Sequence, residues 1–199
     1  MIHAVVTSGR PVELIVGVAG SGKTTALDAA RQAFQDAGYQ VVGTSICGQA
    51  ARTLGADAGI DESRTIASLL WRLDHRQAHL DGRTVVICDE AGMCDDPAML
   101  RLLAASEMAG SKLIIVGDHR QLGAVGPGRS LQALISRHQS SVHALRQNVR
   151  QADREERAIL AQLRAGSVDQ AVNWYADKRR ITTAANRDHA LDQTVQAWA

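Results

Sequence analysis

The chain alternates between short apolar runs and longer segments whose apolar residues recur every three or four positions. Residues 13–16, 84–88 and 112–116 are almost continuously apolar, and residues 39–45 and 140–145 are also predicted as strands. Continuous apolar runs are typical of strands that are covered on both faces, as in a parallel sheet. The pattern therefore predicts an α/β domain built on a mostly parallel sheet.

The segments between these strands have the period of amphipathic helices. Apolar residues keep helical spacing from Lys23 until Gly38, which predicts a helix over that range. Thr65 and the sequence Asp95-Asp96-Pro97 are typical helix starts, preceding helices expected at 66–78 and up to Gly110. Further helices are predicted over residues 48–54, 130–138, 157–164, 167–178 and 186–199. This alternation predicts helices on both faces of the sheet.

Four segments fall outside the alternation. Residues 1–11 are predicted to lead directly into the first strand, residues 55–62 to form a turn that contains glycine and aspartate, and residues 181–184 to form a further short strand. The segment 123–128, with three glycines and Pro127, is expected to be irregular.

Composition narrows the class of protein. In 199 residues, 45% are hydrophobic but only 3% are aromatic, so the core must be built from Ala, Val, Leu and Ile. The 22 basic residues nearly balance the 21 acidic ones, so net charge does not indicate a nucleic-acid partner. Three cysteines without a CxxC pair argue against a disulfide framework and a zinc site, which favours a reducing compartment. Without a membrane-spanning run or leader pattern, a cytoplasmic protein with no membrane partner is expected.

One stretch carries a strong functional signal. The segment Gly17-Val18-Ala19-Gly20-Ser21-Gly22-Lys23-Thr24-Thr25 fits GxxxxGK[ST] between a predicted strand and a predicted helix, the context that a phosphate-binding loop requires. Glycines let successive backbone N–H groups turn towards a polyphosphate, and the helix N-terminus adds its dipole. Lys23 is expected to contact the β and γ phosphates and Thr24 to hold Mg²⁺. The predicted nucleotide contacts are Gly17, Ala19, Gly20, Ser21, Gly22, Lys23, Thr24 and Thr25.

Polar residues follow two other predicted strands. Asp89 and Glu90 come directly after the run 84–88. In phosphate-loop proteins such an aspartate completes the Mg²⁺ shell and a following glutamate can activate the attacking water. Two acids after a strand can also simply start a turn, but the phosphate loop favours the catalytic interpretation. Gln121 follows the next predicted strand, at the edge where open α/β sheets bind ligands.

These motifs together resemble the first motor domain of superfamily 1 DNA helicases, and are most similar to the RecD-like helicase modules of conjugative relaxases. The resemblance is carried by the phosphate loop and by three further segments. These are Asp89–Met93, Gly117–Gly128 with its GDxxQL and VGPG sequences, and Val149-Arg150-Gln151 followed by Leu163-Arg164-Ala165-Gly166. It covers about residues 12–181.

The resemblance implies a RecA-like fold, ATP and Mg²⁺ as ligands, and a role for each matching residue. Lys23 and Thr24 would bind phosphate and metal, and Asp89 would complete the metal shell. Glu90 would be the general base and Gln121 the γ-phosphate sensor. Arg150 would stabilise charge in the transition state, with Arg146 a weaker candidate.

The same resemblance implies a DNA partner. Residues 43–54 and 65–69 would contact single-stranded DNA, although Ile46-Cys47 stands where the family usually has Pro-Thr. The segment 1–11 also lacks the glutamine that contacts adenine in the family. We therefore expect weak DNA binding, or binding that depends on a second motor domain, and reduced base selectivity.

The expected domain organisation is a motor domain over residues 1–150 and a helical extension over 151–199 that leads towards a second motor domain. On this view the chain is a fragment, with weak ATPase activity, no duplex unwinding alone, and a possible relaxase domain in the full protein. Two other classes stay open. They are a nucleoside kinase, against which GDxxQL and the lack of a zinc-type cysteine pair count, and a non-catalytic DNA- or protein-binding remnant. A GTPase is disfavoured because no NKxD sequence occurs.

Overall fold

The computed structural model describes residues 1–121, 126–145 and 148–198. It divides into two compact units, Met1–Arg150 and Gln151–Ala199. Within the described ranges, no helix is both long and apolar enough to cross a lipid bilayer.

The first unit is built on a six-stranded sheet in which every pairing is parallel. The strands are β1 (Val12–Gly17), β2 (Gln40–Ser45), β3 (Glu62–Thr65), β4 (Thr84–Cys88), β5 (Lys112–Gly117) and β6 (Val142–Leu145), in the spatial order β3-β2-β4-β5-β1-β6. This arrangement confirms the predicted α/β, RecA-like fold with a parallel sheet. Because β1 lies between β5 and β6, its carboxyl end is a switch point of the sheet, where ligands of open α/β folds bind.

Helices cover both faces of the sheet. In the first unit they are α1 (Ile2–Thr7), α2 (Lys23–Asp36), α3 (Gly48–Ala58), α4 (Ile66–Asp74), α5 (Asp96–Ala109) and α6 (Ser130–Arg137). Side chains of α1, α2 and α3 pack in one core cluster with Ile114 and Val116 of β5, while α4, α5 and α6 pack in the other with Leu113 and Ile115. Alternate residues of the same buried strand thus supply the two cores, as the continuous apolar runs predict.

The structure corrects the sequence-based boundaries in three places. Residues 55–62 are not a turn, because α3 continues to Ala58 and Glu62 begins β3. Residues 1–11 do not lead straight into the sheet, because α1 intervenes and buries Val5. The helix that begins at Ile66 ends at Asp74 rather than near Ala78, after which Arg76 adopts a left-handed conformation with φ of 55°.

The second unit consists of α7 (Arg154–Arg164), α8 (Val168–Asp177) and α9 (Arg187–Trp198). Asp153 caps α7, as predicted, by accepting the backbone N–H of Glu155 at 2.8 Å. The Tyr175 hydroxyl donates to Glu156 at 3.1 Å and so links α7 to α8. The strand predicted over residues 181–184 does not form, because its single large apolar residue, Ile181, is exposed.

Candidate nucleotide site

The carboxyl ends of four adjacent strands bring the predicted site residues to one edge of the sheet. The phosphate loop follows β1, Asp89 follows β4, Asp118 follows β5, and the segment to Arg150 follows β6. Parallel strands all end at the same edge, so residues far apart in sequence meet there.

The phosphate loop has a backbone shape that only glycine tolerates well. Gly20 and Gly22 have positive φ angles of 73° and 77°. A Cβ atom on Gly17 would lie 2.7 Å from both Ser21 Oγ and Lys23 Cγ, so a side chain would collide inside the loop. These constraints explain the predicted glycine spacing and leave a narrow cradle of backbone groups.

Lys23 points into this cradle. Its Nζ donates to the carbonyl oxygens of Gly17 at 3.1 Å and Val18 at 3.4 Å. Gly22 precedes α2 without a side-chain cap, so the N–H groups of the first turn are directed at the loop. The ammonium group and this helix terminus together make the cradle suited to a polyphosphate.

The other loop residues differ in their surroundings. Ser21 is buried, and its Oγ has no hydrogen-bond partner among the described residues. Thr24 is half-buried, whereas Ala19 and Thr25 are exposed. The predicted contacts of Ala19 and Thr25 therefore depend on their backbone N–H groups or on an exposed side chain, and their roles stay predictions.

Asp89 is held by its backbone hydrogen bonds and has one buried carboxylate oxygen. Its N–H donates to Thr44 O at 2.9 Å, and its carbonyl accepts from the Ser45 hydroxyl at 3.1 Å. The Oδ1 atom is buried without a hydrogen-bond partner in the described part of the chain. Burial raises the pKa of Asp89, as does the charge of Glu90, against the opposing effects of the Glu90 N–H and the Lys23 charge. A buried carboxylate oxygen without a partner suits a Mg²⁺ shell, so the residues fit that metal.

Glu90 has an unusual backbone. Its φ of 55° is left-handed, one of three such angles recorded for non-glycine residues in the described ranges. The residue precedes a 3₁₀ turn over Ala91–Met93, and its side chain is half-buried. A conformation that disfavours a side chain with a Cβ, placed directly after Asp89, is typical of strain kept at a functional site.

Gln121 lies at the same edge and is exposed. Its N–H donates to Asp118 O at 3.2 Å, while the buried Asp118 carboxylate accepts the N–H of Arg120 at 3.0 Å. Gln121 and Gly92 both line a polar cavity of about 220 Å³, so the glutamine lies close to the segment that follows Glu90. Residues 122–125 of the GDxxQL and VGPG sequence, and with them half of the segment 123–128 expected to be irregular, lie outside the described residues.

The segment after β6 forms one wall of the phosphate loop. Val149 donates to Gly20 O at 2.8 Å, and a Cβ on Gly20 would lie 2.7 Å from Arg150 Cβ. Arg150 is exposed at this position. Arg146, the weaker candidate, lies outside the described residues. Asn148 was not predicted as a site residue, although its Oδ1 would lie 3.0 Å from a Cβ on Gly20.

The two predicted DNA-contact segments begin at this edge as well. Cys47 is exposed and caps α3 by accepting the Ala50 N–H at 3.5 Å, so the thiol takes the place of a capping hydroxyl. The Thr65 hydroxyl accepts the Ser68 N–H at 3.1 Å and caps α4, as predicted. Both side chains thus have structural partners, and contact with DNA stays a prediction.

A family model described as an AAA domain matches residues 1–186 of this chain. The conjugal transfer protein TraA of Agrobacterium fabrum is 35% identical over 187 residues, which cover 94% of this chain and 17% of TraA. The ATP-dependent RecD2 DNA helicase of Deinococcus radiodurans is 35% identical over 135 residues, covering 64% of this chain and 18% of RecD2. The multifunctional conjugation protein TraI of Escherichia coli is 29% identical over 156 residues, covering 73% of this chain and 9% of TraI.

The chain spans less than a fifth of the length of each of these relatives. Among solved structures, a helicase from PRRSV matches with a TM-score of 0.46 and 19% identity over 72% of this chain and 32% of that one. DnaA from Aquifex aeolicus, bound to AMPPCP, matches with a TM-score of 0.43 and 16% identity over 82% of this chain and 48% of its own.

Proposed function

The chain belongs to the AAA domain family, and on this premise we propose that it is a motor domain that binds ATP and hydrolyses its β–γ bond with Mg²⁺. The predicted likeness to superfamily 1 helicase modules of conjugative relaxases is confirmed by the relatives TraA, RecD2 and TraI. We infer that in a longer protein this domain contributes to movement along single-stranded DNA during conjugal transfer.

One observation carries the proposal. Oδ1 of Asp89 is buried, has no hydrogen-bond partner among the described residues, and lies at the same sheet edge as the Lys23 ammonium. The positive charge of Lys23 acts to lower the pKa of Asp89. A purely structural aspartate at a strand end would have both carboxylate oxygens hydrogen-bonded or exposed to water, whereas Oδ1 of Asp89 is buried and has no hydrogen-bond partner among the described residues. A buried oxygen beside a phosphate cradle instead favours a metal–nucleotide ligand.

We assign binding and catalysis to different residues. The loop N–H groups and Lys23 would hold the phosphates, and Thr24 and Asp89 would hold Mg²⁺. When bound, the metal neutralises charge on the β and γ phosphates. Glu90 orients the attacking water and accepts its proton. Gln121 senses the γ-phosphate, and Arg150 stabilises the negative charge that develops on it.

DNA unwinding is assigned to a larger assembly. Helicases of this type close a cleft between two motor domains on ATP and open it after hydrolysis, and the described residues contain one sheet with one nucleotide edge. We propose that the 199-residue chain has weak ATPase activity and does not unwind duplex DNA alone. Partners in the longer protein would be a second motor domain and a relaxase domain.

The decisive experiment combines binding with product analysis. A fluorescent ATP analogue should bind only when Mg²⁺ is present, and ATP should be converted to ADP and free phosphate. Transfer of the phosphate to an added nucleoside would favour the kinase alternative instead. A crystal with a nonhydrolysable analogue in which Lys23 and Asp89 face away from the phosphates would contradict the proposal.

A further inference from the structure

A buried acidic side chain lies in the strand that leads to the phosphate loop. Glu13, the second residue of β1, is 0% exposed in a strand whose next two residues, Leu14 and Ile15, belong to the cores on either face. Its Oε2 lies 2.8 Å from Nε2 of His143 in β6. Its Oε1 lies 3.8 Å from Nη1 of Arg10 and has no hydrogen-bond partner among the described residues. Because burying an unpaired carboxylate is costly, the contact with His143 is a strong constraint on both strands.

Basic groups surround this carboxylate at the amino end of the sheet. Lys112, at the start of β5, donates to Ser8 O and Arg10 O, both at 2.9 Å, and so ties the chain before β1 to β5. Burial lowers the pKa of Lys112, and the negative charge of Glu13 opposes that effect. Glu13 is therefore the acidic centre of a cluster that joins three neighbouring strands.

Apart from the Glu13–His143 contact, β6 is held by its pairing with β1 and by two partly buried side chains, Val142 and Leu145. It is four residues long, lies at the edge of the sheet, and pairs with β1 through Leu14↔Val142, Ile15↔His143, Val16↔Ala144 and Gly17↔Leu145. None of its residues is fully buried. A short edge strand with little apolar burial has low local stability, so a buried polar contact to its neighbour has a large share in fixing its position.

The end of β6 and the segment that follows it each make one backbone hydrogen bond to the phosphate loop. Val18 donates to Leu145 O at 3.3 Å, and Val149 donates to Gly20 O at 2.8 Å. Arg150 follows directly and packs against Gly20. A displacement of β6 along β1 would therefore change the shape of the loop and move Arg150.

We propose that Glu13 and His143 are positioning residues that hold β6 in register on β1 and thereby set the phosphate loop and Arg150 for the nucleotide. This inference rests on the proposed function, because it concerns the preparation of the same site. Glu13 lies near the amino end of β1, away from the loop, and His143 contacts it from β6, so the pair acts on the nucleotide only through the strands.

Two amide substitutions of His143 test the pair. The glutamine amide nitrogen reaches about as far as Nε2 of histidine, so His143→Gln keeps a donor for Glu13, whereas the shorter His143→Asn does not. In the 199-residue chain we expect His143→Asn to bind a fluorescent ATP analogue roughly tenfold more weakly than wild type, as for the loss of one charge-assisted hydrogen bond. His143→Gln should stay within about threefold of wild type.

Hydrogen exchange supplies a readout that does not depend on nucleotide. In His143→Asn the amides of Val18, Leu145 and Val149 should lose protection, while those of β4 keep it. Leu73→Ala, a partly buried change on α4, serves as the control for overall destabilisation. It should lower the denaturation midpoint without lowering nucleotide affinity or the protection of those three amides.

Equal affinity and equal exchange in the glutamine and asparagine variants would overturn the inference. A loss of nucleotide affinity in Leu73→Ala as large as that in His143→Asn would overturn it as well. If wild type binds no ATP analogue, the proposed function fails, and the exchange comparison still decides whether the pair positions β6. Should His143→Asn not fold, the same comparison is made between wild type and Glu13→Leu combined with His143→Leu, which removes the contact without leaving a buried carboxylate unpaired. That double variant should fold and lose protection at the three amides if the Glu13–His143 contact sets the register, and full protection there would contradict it.

Discussion

Asp89 and Glu90 are neighbours in sequence but differ in backbone and surroundings. Asp89 has a buried oxygen and a backbone tied to β2 through Thr44 and Ser45. Glu90 has a left-handed backbone and a half-buried side chain. The adjacent acids therefore suit different tasks, one as a fixed ligand and the other as a group that meets water.

Substitutions at Lys23 and Glu90 should separate binding from turnover. Lys23→Ala removes the ammonium that faces the cradle, so nucleotide affinity should fall by at least about tenfold. Glu90→Gln keeps the shape and removes the base, so affinity should persist while kcat falls by roughly 10²-fold or more. Equilibrium binding and phosphate release measure the two effects. If both variants lost binding equally, Glu90 would have a structural role.

The three cysteines should differ sharply in reactivity. Cys47 is exposed, whereas Cys88 and Cys94 are buried. Burial, with the nearby charges of Asp95 and Asp96, raises the pKa of Cys94 to about 11, and burial raises the pKa of Cys88 as well. Both thiols therefore stay protonated at pH 8 in the folded chain. Because only the thiolate reacts, neither should react there.

A thiol titration at pH 8 should therefore show one fast-reacting group, Cys47, in the native protein. The other two should react only after denaturant returns their pKa to the ordinary range. Cys47→Ser is the control and should remove the fast phase alone. A native protein in which Cys94 reacts as fast as Cys47 would contradict the buried position of Cys94 in the segment that follows β4.

Whole elements show what the sequence could and could not predict. The strands β1, β4 and β5 were predictable because burial on both faces makes every position apolar. The strand β3 was missed because its residues, Glu62 to Thr65, are polar and half-buried at the sheet edge. Its pairing with β2 depends on a non-local partner that no local pattern encodes. The helix α1 was not predicted because its six residues are too few to show a helical period.

The candidate site was predictable to a similar degree. The glycine spacing and the predicted strand ends indicated where Lys23, Asp89 and Gln121 lie. Residues that follow the strands of a parallel sheet must lie at its carboxyl edge, next to the phosphate loop. The left-handed backbone of Glu90 and the contact of Asn148 with the loop come from tertiary packing. The pairing of Glu13 with His143 joins strands at opposite ends of the motor sequence, so neither residue alone signals it.

The start of α4 offers a test of the predicted capping. Thr65→Ala removes the hydroxyl that accepts the Ser68 N–H, so the free energy of unfolding should fall by about 1 kcal/mol. Thr65→Ser keeps that oxygen and should cost clearly less. Urea denaturation of the two variants measures the difference. Equal losses would mean that the methyl group, rather than the cap, supports this helix.

At the scale of the molecule, the described residues form one sheet with one nucleotide edge, and this limits the activity that we expect. In a strand-displacement assay the 199-residue chain should release no product strand with ATP, because closure of a cleft needs a second motor domain. Weak binding to single-stranded DNA should decline steeply with salt, as phosphate contacts predict. ATP-driven unwinding by this chain alone would refute the two-domain requirement, and salt-independent binding would argue against phosphate contacts.

The position of β1 also bears on how the domain is made. Leu14 pairs with Ile115 on one side and with Val142 on the other. A ribosome releases the chain from its amino terminus, so the first strand and its glycine loop emerge long before the two strands that flank them. Contacts so distant in sequence form slowly. During synthesis the glycine loop is therefore present before the strands that flank β1, and the pocket can form only once β6 has been made.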